Sequence, residues 1–145
     1  MKKFLLLLVV LSAGLIAEGQ ITMPKVPSTQ DLTNSALKNF IAPPAIGDLG
    51  KTTSGITDKL MSSLGLASGA KSGLSSLIGG FLKEKQGFLG LAKTDPAQYL
   101  SKFSPLQSGL FGKLKSQLGE AVFSKFLGLK PAGGDATNIL SNLFF

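Results

Sequence analysis

The stretch SGLSSLIGGFLKEKQGFLGL, residues 72–91, decides the fold class of this chain. At about 100° per residue, its large apolar side chains fall within one helical face roughly 140° wide, while most polar residues fall outside it. The residues of this face are Leu74, Leu77, Ile78, Phe81, Leu82, Phe88 and Leu89. Lys85 lies inside the same face and is its one charged member. The pattern therefore predicts an amphipathic helix with one polar residue on its apolar side.

Two shorter helices are predicted before this stretch. The first runs from Thr29 to Ile41 and is ended by Pro43 and Pro44, since proline cannot continue a helix. The second runs from Gly55 to Leu66, with apolar residues at four-residue spacing. Residues 42–54 between them contain glycine and threonine and are predicted to be a linker.

Three helices are predicted after it. Asp95 followed by Pro96 is a favourable helix start, with Asp as N-cap and Pro at the first helical position. Ser104 followed by Pro105 repeats this signal and predicts a new helix, which ends before a break at Lys130-Pro131 and Gly133-Gly134. The apolar side of that helix holds Leu106, Leu110, Phe111, Leu114, Leu118, Ala121 and Val122, with Gln107 and Gln117 intruding. Phe123, Phe126 and Leu127 fall off this side, so the end of the helix is either buried on two sides or bent.

The last predicted helix begins after Asp135 and places Ile139, Leu140, Leu143 and Phe144 three and four residues apart. Alternation of apolar and polar residues at period two never persists, so no strand is predicted. The sequence predicts an all-α fold, a small bundle of five or six short amphipathic helices. These form a single helical domain over residues 29–145.

Residues 1–19 have the pattern of a cleaved signal peptide. Lys2 and Lys3 precede a short apolar run, and Ala17-Glu18-Gly19 places small residues where signal peptidase reads, so cleavage is expected before Gln20. Residues 20–28 contain two prolines and are predicted to form an extended arm. We therefore expect an exported protein, either periplasmic or extracellular.

Composition excludes most catalytic chemistry. The chain has no Cys, His, Trp or Arg. Without His, a serine or cysteine protease mechanism has no general base. Without His and Cys, a zinc site lacks its usual ligands. The acidic residues do not converge on a site: Asp95 and Asp135 are explained as helix caps, and Asp58 and Glu84 lie beside lysines. We expect a protein that is not an enzyme, with no catalytic residue, cofactor or metal.

Charge indicates an anionic partner. After removal of residues 1–19 the chain keeps 13 lysines against seven acidic residues, a net charge of +6. Basic exported proteins commonly meet anionic lipid head groups or envelope polymers, although such charge also serves solubility. Nucleic acid is not expected, because arginine is absent and aromatic residues do not alternate with the lysines.

The segment Gly109 to Phe126, GLFGKLKSQLGEAVFSKF, resembles in composition the short amphipathic peptides that act on membranes. The resemblance implies that lysines of the segment face anionic lipid while its apolar side contacts the acyl region. The candidate surface-binding residues are Lys113, Lys115, Lys125, Leu110, Phe111, Leu114 and Phe126. In the alternative, the apolar stripe is one wall of a core, and the protein is a soluble scaffold component that packs on a protein partner or on itself.

Glycine is abundant, with 18 residues, and several lie within predicted helices. Gly65, Gly69 and Gly73 are four residues apart, which would form a flat ridge for close helix pairing if this stretch were helical. The alternative is a loop between two helices, which the small and polar residues around them favour.

Overall fold

The computed structural model describes residues 37–133 and 135–145. The predicted signal peptide, the arm and most of the first predicted helix lie outside these residues. The described part contains six helices and no strand, which confirms the all-α prediction. They are α1 (Leu49–Leu64), α2 (Ala70–Phe88), α3 (Leu91–Thr94), α4 (Pro96–Leu118), α5 (Glu120–Gly128) and α6 (Ser141–Phe144).

Helix α1 begins six residues earlier than its apolar pattern indicates. Asp48 is its N-cap, with Oδ1 accepting a hydrogen bond from the Lys51 amide at 2.8 Å. The Thr53 hydroxyl donates to the Leu49 carbonyl oxygen at 2.7 Å. The second half of the predicted linker, residues 49–54, is thus helical, because a side-chain cap and a threonine bonded to its own helix stabilise it.

The junction of α1 and α2 is a loop. Gly65 ends α1 in the left-handed conformation at φ 62°, which glycine adopts without steric strain. Gly69 precedes α2, and Gly73 lies within its first turns. A Cβ atom at Gly73 would overlap the side-chain amide of Gln117, so this glycine allows α2 and α4 to approach closely. The predicted ridge of Gly65, Gly69 and Gly73 is therefore absent. The alternative prediction, a loop between two helices, describes Gly65 to Gly69.

Helix α2 keeps the predicted face, with Leu74, Ile78, Phe81 and Leu82 buried. It ends at Phe88 rather than Leu91, and the short α3 follows. Asp95 then caps α4 as predicted: its Oδ1 accepts from the Gln98 amide at 3.1 Å, with Pro96 at the first helical position.

Helix α4 does not restart at Pro105, which corrects the prediction of two helices. It runs unbroken for 23 residues with Pro105 in its interior. Proline lacks the amide that would bond to the preceding turn, which destabilises an isolated helix. Here Tyr99 and Phe103 before it and Leu110 and Leu114 after it are all buried, so core packing on both sides holds the helix together.

The helix predicted after Ser104-Pro105 is bent near its end rather than continuous. Gly119 has φ 82° and ψ 163°, a conformation nearly restricted to glycine, and separates α4 from α5. The bend brings Phe126 into the core, with its ring centroid 5.4 Å from that of Phe111 and 5.3 Å from that of Phe144.

The C-terminal helix is shorter than predicted. The Asp135 carboxylate accepts from the Thr137 amide at 2.9 Å and the Thr137 hydroxyl at 2.6 Å, so it caps a turn and not a helix. Helix α6 starts only at Ser141. Leu140, Leu143 and Phe144 are nevertheless buried, so this segment belongs to the core that α1, α2, α4 and α5 surround.

Candidate functional site

The predicted lysines lie on the surface of α4 and α5. Lys113, Lys115 and Lys125 are all exposed. Lys115 forms an ion pair with Glu120 across the Gly119 bend, with Nζ and Oε1 3.3 Å apart. Elsewhere in the described residues the one further ion pair joins Lys71 to Asp58 at 2.8 Å. Lys113 and Lys125 therefore form no ion pair with a described carboxylate.

Three of the four predicted apolar contacts are buried, and the fourth is half-buried. Leu114 and Phe126 have no exposed surface and Leu110 is 4% exposed. Phe111 is half-buried, and its ring packs edge-on against Phe123, Phe126 and Phe144. The fold therefore separates the two halves of the predicted site: lysines face the solvent, while the apolar residues form the wall of a core. Contact of Leu110, Leu114 and Phe126 with lipid would require the domain to open.

Lys85 is a buried residue whose role could not be read from the sequence. Its Nζ donates to the main-chain oxygen of Asn142 at 2.7 Å and to that of Phe145. It also lies 5.1 Å from the centroid of the Phe103 ring, a cation–π contact. The burial of this ammonium group lowers the pKa of Lys85 to about 7. Lys85 thus satisfies main-chain acceptors of the C-terminal turn and ties that turn to α2.

Gln107 has a parallel role on α4. Its Nε2 donates to the main-chain oxygen of Leu143 at 2.9 Å. Lys85 and Gln107, two of the three polar residues that interrupt apolar faces in the sequence, therefore bond to the same C-terminal segment. Gln117, the third, lies against Gly73 instead. The interruptions were visible in the sequence, but nothing in it identified the segment that accepts these hydrogen bonds.

A cleft of about 520 Å³ opens beside this segment, which we call the aromatic cleft. Its apolar wall comprises Phe40, Leu100, Phe103, Phe144 and Phe145. Tyr99, Gln107 and Lys130 supply polar groups to its lining, and the Lys130 ammonium lies 5.3 Å from the centroid of the Phe145 ring.

Tyr99 is the most unusual residue of the aromatic cleft. It is 1% exposed and stacks on Phe103 with ring centroids 5.5 Å apart. Its hydroxyl is buried and has no hydrogen-bond partner among the described residues. The same burial raises the pKa of Tyr99, so the phenol keeps its proton at neutral pH.

The described residues contain no group of three or more His, Cys, Asp or Glu side chains placed to hold a metal ion. No helix within the described ranges has the length and apolar character needed to cross a membrane.

Comparison of the chain with protein-family models, curated proteins and solved structures finds no match.

Proposed function

We propose that this protein is a non-catalytic exported binding protein that attaches to an anionic membrane or envelope surface through lysines of α4 and α5. The observation that supports the proposal is that the predicted lysines of these helices face the solvent while the predicted apolar contacts pack in the core. Lys113, Lys115 and Lys125 are exposed, and two of these three have no ion pair with a described carboxylate, while Leu110, Leu114 and Phe126 are buried in the core. Binding is then peripheral and electrostatic, without insertion of the apolar face.

The charge of the described domain is sufficient for such binding. Residues 37–145 contain twelve lysines and six acidic residues, and eleven of these lysines are exposed. A lysine close to an anionic membrane contributes about 1 kcal/mol, and the contribution is screened by salt over a distance of about 10 Å at 0.1 M. A few lysines acting together therefore bind reversibly and with strong salt dependence.

The scaffold alternative has less support on the described surface. Stable protein interfaces usually have an apolar centre formed by large side chains. Among the large hydrophobic residues of the described part, only Leu127 is exposed, at 43%. A charged surface is therefore better matched to a charged partner than to an apolar protein interface.

The test is co-sedimentation of the chain from Gln20 to Phe145 with vesicles of mixed phosphatidylglycerol and phosphatidylcholine. We expect binding at low salt that disappears in phosphatidylcholine alone. The double substitution Lys113→Glu and Lys125→Glu should weaken binding by roughly tenfold or more, because it removes two unpaired cations and adds two repulsive charges. All these side chains are exposed, so the core is unaffected.

The matched control is Lys51→Glu with Lys59→Glu, which makes the same change of net charge on exposed residues of α1. Binding by the control should fall much less. Equal losses in both variants would show that net charge alone is responsible and that the α4–α5 surface is not the site. A chain that ignores vesicles and forms a defined oligomer would support the scaffold alternative instead.

A further inference from the structure

The aromatic cleft has the dimensions and lining of a small-molecule site. Pockets that bind small molecules have volumes of roughly 300–1,000 Å³, with mostly apolar walls and a few polar groups that orient the ligand. The cleft, at about 520 Å³, lies within this range, and phenylalanine rings form much of its wall. An elongated apolar group would be removed from water against Phe40, Phe103 and Phe145.

The polar groups of the cleft indicate the charge of its ligand. Lys130 is an exposed cation at the lining, and none of the described lining residues is acidic. The buried Tyr99 hydroxyl is protonated and has no described acceptor, and a buried donor left unpaired is unfavourable by about 1–3 kcal/mol. Pairing this hydroxyl with a ligand oxygen requires a side-chain movement, because the hydroxyl oxygen is inaccessible to solvent in this structure.

We propose that the aromatic cleft binds an amphipathic anion with a single acyl chain, of the long-chain fatty acid class. The acyl chain lies against the phenylalanine wall, and the carboxylate is held by Lys130 at the exposed side of the cleft. This site is separate from the lysines of the surface-binding proposal and does not depend on it, since it requires monomeric ligand and no membrane.

A second apolar cleft supplies an internal comparison. It has a volume of about 570 Å³, and its lining includes Pro43, Pro44, Leu89 and Lys93. This cleft also combines apolar walls with a lysine, but no buried unpaired polar atom belongs to its described lining. If an apolar pocket beside any lysine were sufficient, this cleft would bind the same ligand equally well.

The experiment is a titration of the chain from Gln20 to Phe145 with palmitate below the concentration at which palmitate self-associates, without vesicles. Tyr99 is the only tyrosine and the chain has no tryptophan, so intrinsic tyrosine fluorescence reports on the cleft alone. We expect a saturable change in this fluorescence and a one-to-one stoichiometry by calorimetry. Hexadecanol, which has the same chain without the charge, should bind at least tenfold more weakly.

Three variants locate the site, each checked for an unchanged thermal melt. Lys130→Gln should weaken palmitate binding about tenfold and leave hexadecanol binding unchanged, because it removes only the charge-assisted contact. Lys93→Gln, in the second cleft, should leave both affinities unchanged. Ser104→Trp, at an exposed residue of the aromatic cleft, should fill the space and abolish binding of both ligands.

Three results would overturn the proposal. They are equal affinity for palmitate and hexadecanol, loss of binding in Lys93→Gln with retention in Lys130→Gln, and absence of saturable palmitate binding. Each can occur while vesicle binding through Lys113 and Lys125 persists, so failure of this inference and failure of the proposed function are distinguishable.

Discussion

At the scale of single residues, polar side chains on apolar faces hold the C-terminal segment in place. The main-chain oxygens of α6 and its flank lie in the core, where an unpaired acceptor is unfavourable. Lys85 from α2 and Gln107 from α4 donate to them. To reach these acceptors the Lys85 ammonium group must be buried away from water, and this desolvation lowers its pKa.

The lowered pKa of Lys85 predicts how stability depends on pH. Burial lowers this pKa from 10.5 to about 7. Between these values the unfolded chain binds a proton that the folded chain does not, so the free energy of unfolding rises as pH increases from 7 towards 10.5. The slope from one group is at most about 1.4 kcal/mol per pH unit. Urea unfolding between pH 7 and 9 measures it, below the range in which Tyr99 contributes.

The variant Lys85→Met should lose this rise, while Lys83→Met, at an exposed neighbour on the same helix, should keep it. If Lys85→Met and the natural protein share the same slope, the ammonium group is not the source of the pH dependence. The comparison of slopes is informative even if Lys85→Met lowers stability at every pH, because main-chain acceptors lose their donor.

At the scale of elements, glycines of α4 and its end have opposite structural roles. Gly112 lies in the helix interior, is exposed, and a Cβ atom there would meet no atom within 4 Å. Gly119 ends the helix with φ 82°, where a side chain would be strained whatever the space around it. One glycine weakens the helix, and the other makes the bend to α5.

Alanine substitutions at these two glycines should therefore change stability in opposite directions. Gly112→Ala should raise the free energy of unfolding by about 0.5–1 kcal/mol, since alanine loses less backbone entropy in a helix. Gly119→Ala should lower it by about 1–3 kcal/mol, the cost of a non-glycine residue in this conformation. Each variant serves as the control for the other in a denaturant titration. Two changes of the same sign would contradict the bend at Gly119.

At the scale of the whole molecule, the apolar sides of the helices meet in one core. Residues from α1, α2, α4, α5 and the C-terminal segment belong to the same buried cluster, including Leu60, Ile78, Leu114, Phe126 and Leu143. A helix with so much glycine has little intrinsic stability, so this shared burial is what keeps the helices folded. The domain should therefore fold as a unit.

Circular dichroism of the chain from Gln20 to Phe145 tests this expectation. The protein should be helical in buffer and melt in one cooperative transition, and anionic vesicles should change its helix content little. Vesicle binding through exposed lysines adds no helix because those helices already exist. A chain that is disordered in buffer and becomes helical only with vesicles would contradict both the core and the peripheral mode of binding.

The sequence by itself determined the helical class, the face of α2 and the start of α4. These features depend on local spacing and on caps such as Asp95, which act within one or two turns. The alternative of a bend near the end of the helix predicted after Ser104-Pro105 was also visible, because Phe126 departs from the apolar side. The sequence could not distinguish a bend from burial on two sides, because it does not show which residues pack against Phe126.

Only the tertiary structure decided the rest. Pro105 stays within α4 because the packing of buried residues on both sides of it outweighs the loss of one main-chain hydrogen bond. The burial of Lys85 depends on main-chain acceptors that lie 57 and 60 residues away in the chain. The lysines and the apolar residues of the predicted site are also separated by long-range packing, since Leu110, Leu114 and Phe126 pack against residues of other elements. The aromatic cleft gathers Phe40, Tyr99, Lys130 and Phe145 from distant parts of the sequence. Long-range packing leaves no local pattern, and so these features had to be read from the folded chain.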